Sequence, residues 1–579
     1  MKRNRFFATL CMLCMFTACS ELDGLLDNNN GDNGDNTEQP GGDENPNDNE
    51  NPNDNENPGG ETMDDLIAAY FGNVIEPYEK GVEQLYEMLR SHEYDYSTIN
   101  LNVDGGITQL TRALFACQEI TTDECFCSWS ADRYIKPMQT NTYGSEILDP
   151  VFGIFFRTMQ IITYSNEFLR QTEEDKLDSR GANDTVKARV AELRAEARMI
   201  RALCYWMAMD TFGDFPIVTE MSDPSLELPA KSPRSEVYAY IIEELEQLCD
   251  DPAFAAAHSN YPRMDKGSAL ALLSRLYLNA EVYTGTPEWE RCKVTCEEIF
   301  TLGYRLAPTY AELFRGDNGE NPDARNEFLI AIPYESTTVS YGGTSFLINA
   351  SLSGIDGGWG GLHLSGAFVN KFFDISNADF GTGTYSCTDE RGKMFDMKGS
   401  PYGGEFTTVD DVYNFNYGWH CHKFNNIPHD MTADTYTPTG SFSDIDLPII
   451  RLGEIYLTYA EACVRLGDSM RAQPKMDELA VRTGTEAITL PATWDSSARD
   501  MFVAERGREL MWEMCRRTDL IRYDLFSGGD YLWPLKGGET IEGQPFAEDM
   551  ELFPLLDSYI TDNPNLLSLD AYYMALLSM

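Results

Sequence analysis

Residues 194–218 read RAEARMIRALCYWMAMDTFGDFPIV, and the spacing of their apolar side chains decides the fold. Leu193, Ala197, Ile200, Cys204 and Met207 mark one helical face, and Ala195, Met199, Ala202, Trp206 and Met209 mark a second. Arg194, Arg198 and Arg201 keep to a polar stripe. A helix that is apolar on two sides is sandwiched between neighbours, as in stacked helical pairs, and Gly213 and Pro216 then end it. The expected fold is therefore mainly α, a tetratricopeptide-like helical repeat scaffold.

Three further segments extend this reading. Residues 265–280, DKGSALALLSRLYLNA, repeat the design with small residues that let helices approach closely. Residues 288–302 read as the antiparallel partner, with Trp289, Cys292, Cys296 and Ile299 on one face. Residues 447–467, LPIIRLGEIYLTYAEACVRLG, read as another helix with Leu452, Tyr456, Tyr459, Cys463 and Leu466 inward and Gly467 as its cap. A second helix follows near 473–481. Helix-turn-helix units recurring without a strict period resemble degenerate tetratricopeptide repeats. Residues 505–523, ERGRELMWEMCRRTDLIRY, are crowded with charge. Glu505 with Arg508, Glu513 with Arg516 and Arg517, and Arg516 with Asp519 fall three or four residues apart on a helix. Catalytic carboxylates are held apart around a cleft in contrasting environments, so carboxylates each neutralised by a neighbouring arginine read as a structural lattice.

The amino terminus is of another kind. Lys2, Arg3 and Arg5 precede an apolar run from Phe6 to Phe16, and Thr17-Ala18-Cys19 closes it. That is a lipoprotein signal, too short to span a bilayer, and its cleavage leaves Cys19 free for acylation. From Ser20 to Asp65 there are fifteen Asp or Glu and no Lys or Arg, and 45–58 repeat Asn-Pro-Asn-Asp-Asn-Glu almost verbatim. Such a chain has no apolar surface to bury and is expected to act as a solvated tether. Asp27 to Glu38 is no calcium loop, since its sixth position is Asp32 where the loop needs glycine. The expected domains are a signal at 1–18, the lipidated cysteine and tether at 19–63, and a body at 64–579. Within the body, helical repeats occupy about 64–317 and 447–525, a loop-rich ligand region with short strands about 318–446, and an irregular C-terminal segment 526–579. A net charge of -50 argues against nucleic acid, which needs clustered Lys and Arg. The eleven cysteines after Cys19 lack regular spacing and read as small buried apolar residues rather than a disulfide framework.

The four segments, in this order and closing with Asn563-Pro564-Asn565-Leu566, resemble the SusD/RagB family of outer-membrane nutrient-binding lipoproteins. The resemblance covers essentially the whole body. It implies a non-enzymatic protein without cofactors, lipid-anchored on the outer membrane and facing the exterior. Such a protein captures a glycan, or sometimes a peptide, and delivers it to a SusC-like TonB-dependent transporter on which it sits as a lid.

The motifs are mostly scaffold, so the ligand site is sought in the loops. Trp206, Trp289 and Trp512 fall within helical patterns and read as core, whereas Trp129, Trp359, Trp419, Trp494 and Trp533 lie in loop-like sequence. An aromatic face suits the C–H face of a pyranose ring, and neighbouring amides and carboxylates bond its hydroxyls. Trp129, Asp132 and Arg133 supply a platform and polar groups in one loop. Trp359 stands among glycines in GIDGGWGG, and Tyr334 follows the strand-like run 328–332. These five are the candidate ligand-binding residues. Trp419-His420-Cys421-His422 with His429 gathers metal donors, but no paired spacing such as Cys-x-x-Cys supports a site, and no metal is assigned. Other classes compete. A surface glycosidase needs two opposed carboxylates, and none stands out from the acidic background. A helical protein-binding scaffold leaves the loop aromatics unexplained.

Overall fold

A computed structural model describes residues 71–90, 103–144, 146–219, 231–337, 343–348, 359–379, 381–397, 405–438 and 440–554. The signal, Cys19, the tether and the closing 563–566 motif lie outside these residues.

The principal helices are α1 (Glu76–Arg90), α2 (Leu110–Phe115), α3 (Asp149–Gln171), α4 (Asp184–Phe212), α5 (Arg234–Asp250), α6 (Lys266–Leu278), α7 (Trp289–Thr301), α8 (Leu452–Arg465), α9 (Ser469–Thr483), α10 (Ser496–Leu510) and α11 (Arg516–Arg522). Helix α4 is the one that opened the reading. Asn183 caps its start by accepting the Val186 N–H at 3.1 Å, and Gly213 ends it in the left-handed region at φ 75°. Both of its apolar faces are buried, one against α3 and the other against α5. Asp265 and Ser268 form a capping box on α6, whose small residues let α7 pack closely.

The stack runs α3, α4, α5, α6, α7 and then passes directly to α8 and α9, so residues 302–451 leave the helical spine and return to it. Arg275 of α6 secures that junction, donating to both oxygens of Glu454 on α8 while its guanidinium lies 4.9 Å from the Trp206 ring of α4.

Six short strands complete the described fold: β1 (Phe126–Cys127), β2 (Phe328–Ile332), β3 (Leu362–His363), β4 (Phe395–Asp396), β5 (His420–Cys421) and β6 (Leu447–Arg451). They pair antiparallel as β1 with β3, β2 with β6, and β4 with β5. The 447–467 segment is thus not one helix. Ile449 and Ile450 favour a strand, and Pro448 cannot donate within a helix, so residues 447–451 join β2 and the helix starts at Leu452. Leu466, expected inward, is exposed where α8 ends.

The charged segment 505–523 is likewise broken. Trp512 and Met514 have φ near 60°, which separates α10 from α11 and voids helical spacing across the break. Glu505 does meet Arg508, as spacing predicts. Glu513 instead takes Arg451 at 2.7 Å and Lys423 at 2.6 Å, Arg516 takes Asp123 at 2.8 Å, and Asp519 takes Arg506 at 2.7 Å. At the centre lies Glu509, wholly buried, facing Arg451 at 2.6 Å, Arg391 at 3.0 Å and Arg482. Burial pushes its carboxyl up, but the guanidinium groups of Arg482, Arg451 and Arg391 outweigh that and hold it far below the usual carboxylate range.

Candidate ligand-binding site

Strand β1 leaves the core at Cys127 and β3 enters it at Leu362, and their pairing sets two loops side by side. The Ser128 N–H donates to the Gly361 carbonyl at 2.8 Å, and Ser128 Oγ lies 2.7 Å from His363 Nε2. Burial, with the charge of His420 added, pushes the His363 imidazole down to about 3, so it serves as a neutral strut. Trp129 follows in the first loop, which turns back on itself through an Asp132 N–H to Trp129 carbonyl bond of 3.0 Å. Trp359 precedes Gly361 in the second. The close approach requires glycine: a Cβ on Gly361 would stand 2.4 Å from Trp129 Cε2.

The two indoles meet edge to face, 5.9 Å apart at 85°. Both are half-buried. Phe346, fully buried, supports them from below at 5.7 Å from Trp129 and 6.2 Å from Trp359. Phe415, 46% exposed, adds an outer wall 6.5 Å from Trp129. Under the rings lies Arg112 of α2, its guanidinium 4.5 Å from the Phe346 centroid and 5.2 Å from that of Trp359. Arg112 is 7% exposed, forms no ion pair among the described residues, and its Nε–H meets no acceptor. Asp132 stands beside it, partly buried. Burial raises the Asp132 carboxyl, Arg112 opposes that, and Asp104 and Asp149 add to it. The result is an angled aromatic surface with a cation and a carboxyl at its base, able to cover an apolar face and bond hydroxyls at the edge.

The five candidate residues therefore divide. Trp129, Trp359 and Asp132 come together. Arg133 does not join them, because its Nε donates to Asp149 Oδ1 at 2.6 Å, tying the loop to the start of α3. Tyr334 is corrected to a core residue: it is 3% exposed, and its hydroxyl is held by Thr111 at 2.7 Å and Gln109 at 3.1 Å. An apolar strand carries it straight into the interior. Of the other loop tryptophans, Trp419 is fully buried with Nε1 donating to Glu405 at 3.0 Å, Trp533 is buried, and Trp494 is stacked between Phe502 and Tyr523 under Arg465. Sequence reasoning missed Arg112, Phe346 and Phe415. Only Arg112 left a signal, as the lone charge in the otherwise apolar helix LTRALF.

His420 and Cys421 form β5, and His429 turns away to Asp317. Asp317, His429 and Asp430 are the one group of donors at metal-holding distance among the described residues, and His429 and Asp430 are exposed. Nothing connects that group to the aromatic surface.

Comparison with known proteins agrees with this fold. A family model described as "SusD family" matches residues 380–573, and one described as "Starch-binding associating with outer membrane" matches residues 48–278. The starch-binding protein SusD of Bacteroides thetaiotaomicron is 29% identical over 506 residues, 81% of this chain and 87% of that one. SusD-like protein P25 of Formosa agariphila is 23% identical over 378 residues, 60% and 67% of the two chains. Among solved structures, a SusD-like carbohydrate binding protein from Bacteroides fragilis superposes with a TM-score of 0.66 at 16% identity, covering 86% of this chain and 99% of that one. A SusD homolog from Bacteroides thetaiotaomicron gives 0.64 at 20% identity, covering 86% and 97%. With both parts of the chain matched by sequence and its helical scaffold shared with these structures, the protein belongs to the SusD/RagB family.

Proposed function

We propose that this protein is a cell-surface glycan-binding lipoprotein that captures an oligosaccharide or polysaccharide on the surface formed by Trp129 and Trp359. The observation that carries the reading is the convergence of the two half-buried indoles, edge to face at 5.9 Å, over Arg112, whose buried Nε–H meets no acceptor. A pyranose presents an apolar C–H face and a rim of hydroxyls, and this surface offers rings for the one and a cation and a carboxyl for the other. The relative named for starch binding, and the family description that places such proteins at the outer membrane, support a glycan and that location. The protein is a binder and not an enzyme. Glu505 and Glu509, the carboxylates that invited a catalytic reading, are consumed by arginines in the core. Acylated Cys19 anchors the body, which faces outward and passes its ligand to a SusC-like TonB-dependent transporter.

Isothermal titration against a panel of soluble polysaccharides that includes starch, with a reducing-end assay on the same mixtures, tests the reading. Binding without new reducing ends is expected, and Trp359→Ala weakens that binding while leaving the protein folded. Binding that survives loss of both Trp129 and Trp359 would place the site elsewhere, and release of reducing ends would make the protein a glycosidase.

A further inference from the structure

Glu119 and Glu124 are wholly buried carboxyls that ligand binding does not use. They come from the turn that links α2 to β1. Glu119 Oε1 accepts the Cys515 N–H at 3.0 Å, and Glu124 Oε1 accepts the Trp512 N–H at 2.9 Å. The Trp512 indole N–H returns a bond of 2.7 Å to the Glu124 carbonyl, and Gln118 accepts from Thr518. This segment therefore grips the Trp512–Cys515 turn, the break between α10 and α11. Each acid is left with one oxygen, Oε2, that no donor reaches.

The surrounding charges do not compensate two anions. Arg516 is the single cation at ion-pair distance among the described residues, 3.5 Å from Glu124 Oε2, but its Nε and a terminal nitrogen already bond both oxygens of Asp123. Lys371 reaches Asp123 at 3.6 Å and acts on Glu124 only from farther off. Asp123 itself adds negative charge and also accepts from Tyr531. The thiols of Cys125 and Cys515 are pushed up by burial and stay neutral. The Glu119 and Glu124 carboxyls lie within hydrogen-bonding reach of each other; two ionised carboxylates sharing such a site repel in a medium that solvates neither, whereas one acid and one carboxylate form a strong hydrogen bond.

We propose that Glu119 and Glu124 hold one proton between them as a carboxyl–carboxylate latch that fastens the Trp512–Cys515 turn to the foot of the loop bearing Trp129. Glu124 stands immediately before Cys125 and β1, and Trp129 follows that strand, so the latch fixes where the first half of the aromatic surface starts. Burial raises Glu119 to about 7 and Glu124 further. Groups raised in the fold stabilise it fully below the ordinary carboxyl range, and that stabilisation is lost as pH rises from that range through their folded values, a loss complete for Glu119 at about 7 and continuing for the more strongly raised Glu124.

The test uses the full-length body and needs no ligand. In Glu124→Gln the amide stands permanently for the protonated acid, donating to Glu119 and still accepting from Trp512. Melting temperatures are followed from about pH 6 to about pH 9 for wild type and for Glu124→Gln. Wild type is expected to fall relative to the variant as pH rises, so that the gap between them shifts by several degrees. Infrared spectra of wild type above about pH 7.5 are expected to keep a protonated carboxyl band after Asp265 and Asp446, raised by burial to about 6, have ionised, and to lose it with further base. A gap that stays constant with pH overturns the latch. If the variant does not fold, the wild-type infrared titration decides alone, and absence of the band overturns the proposal.

Discussion

Of the buried clusters that contain arginine, two are built to opposite ends. Around Glu509, the guanidinium groups of Arg391, Arg451 and Arg482 meet the carboxylates of Glu327, Glu505, Glu509, Glu513 and Asp389 in a closed network. Under Trp359, Arg112 is almost as buried, yet it has rings for neighbours, no ion pair among the described residues and a donor without an acceptor. Desolvating a charge is costly in either place. In the first every guanidinium has carboxylate partners once the chain folds, although Arg482 Nε also meets no acceptor; in the second no carboxylate among the described residues forms an ion pair with the guanidinium. The contrast sets a closed carboxylate-arginine lattice, in the segment that invited a catalytic reading, against a lone arginine in a short helix beneath the proposed binding surface.

The largest effect expected from breaking this comparison falls on the lattice. Glu509→Gln leaves three buried arginines without their shared counter-charge, and removal of one partner from such a network costs about 3–5 kcal/mol. Calorimetry should show a lowered Tm, while affinity measured on the folded fraction stays that of wild type. Glu509 is held far below the ordinary carboxyl range and Glu461 at about 2, in both cases by arginines that overcome the upward push of burial. The stability they give is therefore present above the ordinary carboxyl range and lost as pH falls toward about 2, so Glu509→Gln flattens the acid limb of a Tm profile. Loss of ligand binding at unchanged Tm would dissolve the distinction between the two clusters.

Truncation at the aromatic surface should act the other way. Trp129→Ala and Trp359→Ala are each expected to weaken glycan binding by about 1–3 kcal/mol. Their loss of stability should stay below the roughly 3–5 kcal/mol of a fully buried tryptophan, for which Trp206→Ala serves as reference. A titration and a melt on each variant decide the matter, and a large fall in Tm with affinity intact would return both side chains to packing.

Gly361→Ala sharpens the comparison with the smallest change. The added methyl meets the Trp129 ring and turns it without removing any aromatic surface. Affinity should fall by about 1 kcal/mol, roughly fivefold, with little change in Tm. Equal affinity would mean that the angle between the indoles is irrelevant to recognition.

Much of the scaffold was legible because helical periodicity is local. The two apolar faces of α4, the small residues of α6 and the cap at Gly467 follow from neighbours three or four positions away, and each stands where spacing predicts. The exceptions are places where a distant partner intervenes. Residues 447–451 become a strand because β2 arrives beside them, and Glu513 meets Arg451 and Lys423 because the chain breaks at Trp512. Of the site, the sequence supplied the loops holding Trp129, Asp132 and Trp359, but it ranked Tyr334 and Arg133 beside them with nothing to tell them apart.

The sequence by itself determined a stacked helical body with a charge-rich structural segment and a set of tryptophans outside the helical pattern, since composition and short-range spacing govern all of these. Which tryptophans stay half-buried, which carboxylates are neutralised and which arginine lies under rings rather than beside a carboxylate were decided by tertiary structure alone. Those outcomes depend on the pairing of β1 with β3 and on burial among segments hundreds of residues apart, and the energy of a charge or a ring is set by what surrounds it in space.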